Sequence, residues 1–167
     1  MTEFSHETVQ SALDRLKLGL SVQVYDETTA TSQQAADRIG CELGQIAKSI
    51  LFIIDGQPVV VVASGDQRVD DRKLAALFNV SRKKVKIATA EQCVEITGYA
   101  PGSVPPLAYR QSDLKVLLDH HLQRFDQLYA AAGAHNAIFP VRCDQLPQVT
   151  GAEFANLYRE ADSTPAG

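Results

Sequence analysis

Apolar positions along this chain change their period several times, and each change marks an element. Val9, Ala12, Leu13 and Leu16 recur at helical spacing behind Ser5, a hydroxyl suited to capping a helix start, and Gly19 is expected to close that helix. Val22 and Val24 alternate as a short strand. Thr31 and Gln34 stand at capping-box spacing ahead of a second helix, which Gly40 ends. Residues 47–54 and 59–63 are β-rich and apolar at successive positions, which predicts strands covered on both faces. Asp55-Gly56-Gln57-Pro58 between them predicts a hairpin. Residues 70–78 read as a helix with Leu74, Leu77 and Phe78 on one side, stopped by Asn79. Val85-Lys86-Ile87 is a short strand, and Thr89 with Gln92 repeats the capping box before a helix closed by Gly98. Strands are expected at 115–118, 127–131 and 137–141, and mixed helical character at 144–160. Strands and helices mix without strict alternation, so the fold class is α+β, a sheet wrapped by helices.

Composition narrows the functional classes. A chain of 167 residues with 45% apolar and 22% charged residues suits one compact globular domain covering 1–167. No apolar run is longer than 50–54, which stops at Asp55, so no bilayer span is expected. Met1-Thr2-Glu3-Phe4 carries no secretory pattern, which points to a soluble, cytoplasmic protein. Cys41, Cys93 and Cys143 are odd in number and far apart, as expected of small core residues in a reducing compartment. Sixteen basic and twenty acidic residues give a net charge of -4, which argues against non-specific coating of nucleic acid, and neither DNA nor a membrane is expected as a partner. A local basic patch survives that argument: Arg82, Lys83, Lys84 and Lys86 form either an RNA contact or a solvated turn before a strand.

Most familiar catalytic patterns are missing. There is no GxSxG, and Cys93 falls on a helix face that suits the core. His120 and His121 are adjacent and would face opposite sides of a strand, so no metal or other cofactor is expected. Ser64-Gly65-Asp66 reads as an ordinary turn. Three features remain. Lys48 stands just before an apolar run and must reach either solvent or an anion, because an unpaired ammonium in a core costs several kcal/mol, on the order of a lost buried ion pair. The Gly98–Pro106 segment, with two glycines and three prolines, is either a rigid connection or a pocket wall with exposed N–H groups. Gly133-Ala134-His135-Asn136 is a polar turn between two expected strands.

Taken in order, Ala47-Lys48-Ser49-Ile50-Leu51-Phe52, Thr97-Gly98-Tyr99-Ala100-Pro101-Gly102-Ser103-Val104-Pro105-Pro106-Leu107 and Ala131-Ala132-Gly133-Ala134-His135-Asn136 resemble the YbaK and prolyl-tRNA-synthetase-associated editing domain family. The resemblance implies a mixed, largely antiparallel sheet with flanking helices and a motif-bearing core at about 22–157. It implies trans-editing: hydrolysis of the ester between a small non-cognate amino acid and tRNA, with the acceptor end of an aminoacyl-tRNA as partner and a synthetase as a further one. It assigns the terminal nucleotide to Lys48 and the aminoacyl pocket to the segment from Gly102 to Pro106. Lys48 and Gly102 are thus the candidate catalytic residues. Ser49, Gly98, Ser103, Val104, Pro105, Pro106, Gly133 and His135 are the candidate substrate contacts. Ser103 and Pro105 stand where many relatives carry Gly and Ser, and His135 matches the third motif only approximately.

The ester is already activated, so holding the terminal adenosine, placing a water and stabilising the oxyanion suffice. No conventional general base stands out; the resemblance suggests help from the substrate's own vicinal hydroxyl. Two other readings use the same residues: a non-catalytic module holding a nucleotide or aminoacyl end, and a hydrolase of small free esters.

Overall fold

The computed structural model describes residues 3–160 as five α-helices and an eight-stranded sheet, with short 3-10 turns between elements. In chain order these are α1 (His6–Leu16), β1 (Gln23–Val24), α2 (Ser32–Ile39), β2 (Ile46–Ile54), β3 (Gln57–Ser64), α3 (Asp71–Leu77), β4 (Val85–Ile87), α4 (Ala90–Thr97), β5 (Lys115–Asp119), β6 (Gln127–Ala131), β7 (Ala137–Arg142), α5 (Leu146–Thr150) and β8 (Phe154–Ala155). The sheet runs β1-β7-β6-β2-β3-β5-β8, with β4 paired to β2 off this path. Four pairings are antiparallel, and β2–β6, β3–β5 and β5–β8 are parallel. The fold is therefore α+β with a mixed sheet. No helix among the described residues is long and apolar enough to cross a membrane.

The two apolar runs form the centre of the sheet, covered on both faces. Ala47, Leu51, Val60 and Val62 face a core built with Val9 and Leu13 of α1 and Cys93 of α4. Phe52, Ile54, Val59 and Val61 face a second core with Leu74 of α3 and Leu157. Ile46 joins a third, with Ala35 and Ala36 of α2. Cys93 and Cys143 are buried and Cys41 is half-buried, all as free thiols.

Both capping boxes form: Thr31 Oγ1 accepts from Gln34 N–H at 3.1 Å, and Thr89 Oγ1 from Gln92 N–H at 3.1 Å. The expected stop of α1 at Gly19 is corrected. The helix ends at Leu16 because Lys17 takes a left-handed φ of 55°, and its N–H closes on the Asp14 carbonyl. Leu18 and Leu20 then fold back onto the main core. The C-terminal stretch is less helical than its composition suggests. Gly151 ends α5 after five residues, and the chain then pairs with β5. Asp119, fully buried, holds this stretch by accepting from Leu157 N–H at 2.9 Å and Tyr158 N–H at 3.0 Å. His120 and His121 lie on a 3-10 turn rather than a strand, and both rings pack against Tyr158.

Candidate active site

The site arises from incomplete cover around β2. Its even-numbered side chains are capped by α2 at Ile46 and by the α3 core at Phe52 and Ile54, which leaves Lys48 and Ile50 between two covered ends. The strand's outer edge is interrupted at the same place. It pairs with β6 at Ile46 and Ala47 and with β4 from Phe52 onward, and between them no strand of the described residues adjoins it. The Ile46 carbonyl accepts from Gly65 toward β3, while the Leu51 carbonyl accepts from Ala88 on the opposite edge. By strand alternation the main-chain groups of Ser49 face that opposite edge, where Gly102 and Val104 lie. Ser49 Oγ is buried and has no hydrogen-bond partner among the described residues.

Two cavities meet at Lys48. One, of about 40 Å³, is lined by Lys48, Ser49, Gly102, Val104 and residues from Thr29 to Ala35. A neighbouring space of about 110 Å³ shares Ser49, Gly102 and Val104. The other main cavity, of about 450 Å³, opens along Lys48, Ile50 and Phe52. Burial pushes the Lys48 ammonium below the ordinary lysine value; Asp66 opposes that shift and Arg68 adds to it. Asp66 is committed elsewhere: Arg124 grips both its oxygens, at 2.7 and 3.1 Å, and holds its carboxyl below the usual range. Arg124 also donates to Ser64 Oγ, which itself donates to the Gly44 carbonyl, so the Ser64-Gly65-Asp66 turn is a latch beneath the site. Lys48 makes no ion pair among the described residues.

Gly102 sits where only glycine fits without adjustment. Its φ is +87°, and a Cβ there would lie 2.8 Å from the Ala30 carbonyl oxygen. The same close approach holds the 97–107 loop against the segment entering α2. Gly133 (φ +90°) serves from behind, donating its N–H to the Ser103 carbonyl at 2.9 Å while packed against Ser5 and Tyr99. Ser103, Pro105 and Pro106 are buried and do not line the cavities; Pro105 instead accepts a hydrogen bond from Tyr109 Oη at 2.8 Å. Gly98 closes α4 against the Phe4 ring. His135 is exposed, and its carbonyl anchors Thr29 N–H at 2.6 Å, so its main chain positions the far wall of the small cavity.

Of the expected site residues, the structure therefore brings Lys48, Ser49, Gly102 and Val104 together and puts Gly98, Ser103, Pro105, Pro106, Gly133 and His135 behind them. The basic run divides. Arg82 lines the large cavity, whereas Lys83, Lys84 and Lys86 are exposed and do not. Sequence reading missed Thr29, Ala30, Thr31 and Ser32 on the small cavity and Arg68, Arg72 and Arg159 on the large one. Only the capping signal at Thr31 pointed to the first group. Nothing local marks the second, because a bridge between Val69 and Tyr158 brings Arg68 and Arg159 side by side across the chain.

Residues 26–149 match the family described as the aminoacyl-tRNA editing domain. The chain belongs to that family. Among relatives of the editing domain, the uncharacterized protein YwhH of Bacillus subtilis is 32% identical over 128 residues, covering 76% of this chain and 79% of YwhH. A proline–tRNA ligase of Staphylococcus aureus is 28% identical over 127 residues, 76% of this chain but 20% of the ligase, so the chain spans about a fifth of that enzyme. A crystal structure carrying the provisional description of a trans-editing enzyme for prolyl tRNA synthetase superposes with a TM-score of 0.86 at 32% identity, over 96% of this chain and all of the other.

Proposed function

We propose that this editing domain is a deacylase that hydrolyses the ester joining a small non-cognate amino acid to the 3′ end of a transfer RNA. The observation that carries the reading is Lys48: a half-buried ammonium without an ion-pair partner among the described residues, on the wall shared by a tight cavity and a wide cationic one. Lys48 anchors the terminal nucleotide as a compact charge. The aminoacyl group enters the tight side, where Val104 and the Gly102 backbone limit its size.

Chemistry on that side needs donors aimed at the developing oxyanion. Ser103 N–H is already given to the Ala100 carbonyl. The Gly102 and Ser49 amides remain, on residues that line the same cavities. Together they hold the carbonyl and a water, while Gly98, Ser103, Pro105, Pro106, Gly133 and His135 fix the loop that presents them. The substrate's own hydroxyl beside the ester is the group placed to move the proton. The acceptor end of tRNA is the substrate, received free or from a synthetase, and the prolyl-tRNA relatives make a proline-accepting tRNA the first to test.

The test is turnover of a panel of mischarged tRNAs by wild-type protein and Lys48→Ala. Release of a small amino acid by the wild type alone is expected. Binding of charged tRNA without release would replace the deacylase by a holding module; equal hydrolysis of free amino-acid esters would make it a small-ester hydrolase.

A further inference from the structure

The large cavity has a chemistry of its own. Five cationic side chains line it, Lys48, Arg68, Arg72, Arg82 and Arg159, against two carboxylates, Asp70 and Asp71. Both carboxylates are already engaged: Asp70 accepts from Arg72 N–H at 2.9 Å as the cap of α3, and Asp71 pairs with Arg82 at 3.0 Å. Arg68, Arg72 and Arg159 make no ion pair among the described residues. A surplus of three positive charges is thus concentrated in one cavity of a chain whose net charge is -4. Like charges gathered this closely repel unless an anion is shared among them.

Its size and floor select the anion. At about 450 Å³ the cavity is far larger than one phosphate, and its floor is apolar, made by Ile50 and Phe52 of β2 and Val85 and Ile87 of β4. Ile87 is 68% exposed, an aliphatic surface left open between arginines. Cations flanking an apolar floor match an unpaired nucleic-acid strand, whose phosphates and base faces lie side by side. The cavity begins at Lys48, where the small one ends.

We propose that Arg68, Arg72 and Arg159 bind the phosphodiesters of the single-stranded nucleotides that precede the terminal adenosine, so that the large cavity is the seat of the tRNA's unpaired 3′ tail. This rests on the deacylase reading for its direction: the aminoacyl end lies beyond Lys48, and the strand leaves along β2 toward β4. The arginines supply affinity and register and take no part in ester cleavage.

The experiment uses the full chain and two probes: a short uncharged single-stranded RNA ending in CCA, and a non-hydrolysable aminoacyl-adenosine analogue that carries no phosphate. Arg68→Gln with Arg159→Gln should weaken the oligonucleotide about tenfold or more at 0.1 M salt. It should also flatten the slope of log affinity against log salt by about 1.4, two cations at about 0.7 each. Affinity for the phosphate-free analogue should not change, which also reports that the variant is folded; Arg72→Gln serves as the second variant. An unchanged salt slope overturns the proposal, as does equal loss for both probes. Inorganic phosphate competing as well as the oligonucleotide would also overturn it, since the site would then hold a phosphate rather than a strand. If no aminoacyl ester is cleaved yet the oligonucleotide still depends on these arginines, the deacylase reading fails and this one stands.

Discussion

The two cavities that meet at Lys48 differ in almost every property that governs recognition. The smaller, about 40 Å³, is built from close main-chain approaches, with small and aliphatic side chains, among them Ile46, Val104 and Ile138, and a few hydroxyls. The larger, about 450 Å³, is built from long side chains of like charge over an aliphatic floor. Steric walls discriminate by size and reject what is too large, whereas screened charges hold any strand with the right phosphate spacing. The division suits an editing domain, which must choose an amino acid narrowly and accept the invariant end of tRNA generally. It also predicts that substitutions on the two sides separate into different kinetic classes.

Lys48→Ala attacks the boundary and should have the largest effect, lowering kcat/KM for deacylation by about 10²- to 10³-fold with the fold retained. Lys48→Arg should recover little of it, because a planar fork does not replace a compact ammonium in a half-buried position. Full turnover by a folded Lys48→Ala protein would remove the lysine from the site. Gly102→Ala comes next. A left-handed residue costs about 1–2 kcal/mol when it carries a Cβ, and this Cβ would also press on the Ala30 carbonyl at 2.8 Å. Displacing that wall by a fraction of an ångström should lower kcat up to about 100-fold. The check is KM for the same tRNA, which should move little because the cationic cavity is untouched.

Val104→Ala tests the size argument. Removing two methyl groups from a wall shared by the 40 and 110 Å³ spaces should admit an aminoacyl group one or two carbons larger. The ratio of kcat/KM for the two substrates should shift by roughly 10- to 100-fold, since a methylene is worth about 1–3 kcal/mol in such pockets. Ser103→Gly should move that ratio less, because Ser103 is buried behind the wall and contributes its carbonyl to Gly133. A larger shift in Ser103→Gly than in Val104→Ala would reverse the roles of the two residues.

Titration separates the cavities in another way. Burial lowers the folded-state pKa of Lys48, so the folded protein holds this proton less tightly than the unfolded chain does. Between the two pKa values the unfolded chain binds more protons, and the unliganded protein gains stability as pH rises through that window. Binding has the opposite sign. A phosphate-bearing analogue needs the ammonium, so its affinity should fall as pH rises, beginning below the ordinary lysine value of about 10.4. In Lys48→Arg that alkaline limb should vanish; its persistence would assign it to another group.

Much of this was legible before any coordinates. Periodicity located β2 and β3 because both are apolar on successive positions, and Lys48 stood out as the one charge in such a run. The glycines and prolines of 97–107 marked a rigid loop. What could not be read was long-range. The parallel pairings of β2 with β6 and β3 with β5 join strands far apart in sequence, and β8 is two residues held by Asp119 and β5 rather than by its own propensity. Arg68 and Arg159 look like unremarkable surface residues until the bridge at Val69 and Tyr158 joins them. The four-residue basic run, conversely, was conspicuous in sequence and is divided in space.

That division supplies the smallest expected effect. Lys83 and Lys84 lie on an exposed 3-10 turn beside Arg82, outside the large cavity, and neither makes an ion pair among the described residues. Without direct contact with the 3′ tail they act only through the field, which decays over about 10 Å at 0.1 M salt. Lys83→Gln with Lys84→Gln should therefore leave binding of the CCA oligonucleotide within about twofold, a few tenths of a kcal/mol. Full-length tRNA has a helical stem that could reach this turn, so its affinity should fall modestly, with a loss that disappears at high salt. A loss on the short oligonucleotide as large as that from Arg68→Gln with Arg159→Gln would show that the strand leaves over this turn instead of lying in the cavity. Equal affinity for both RNAs in the variant and the wild type at every salt concentration would make the turn a solvated surface.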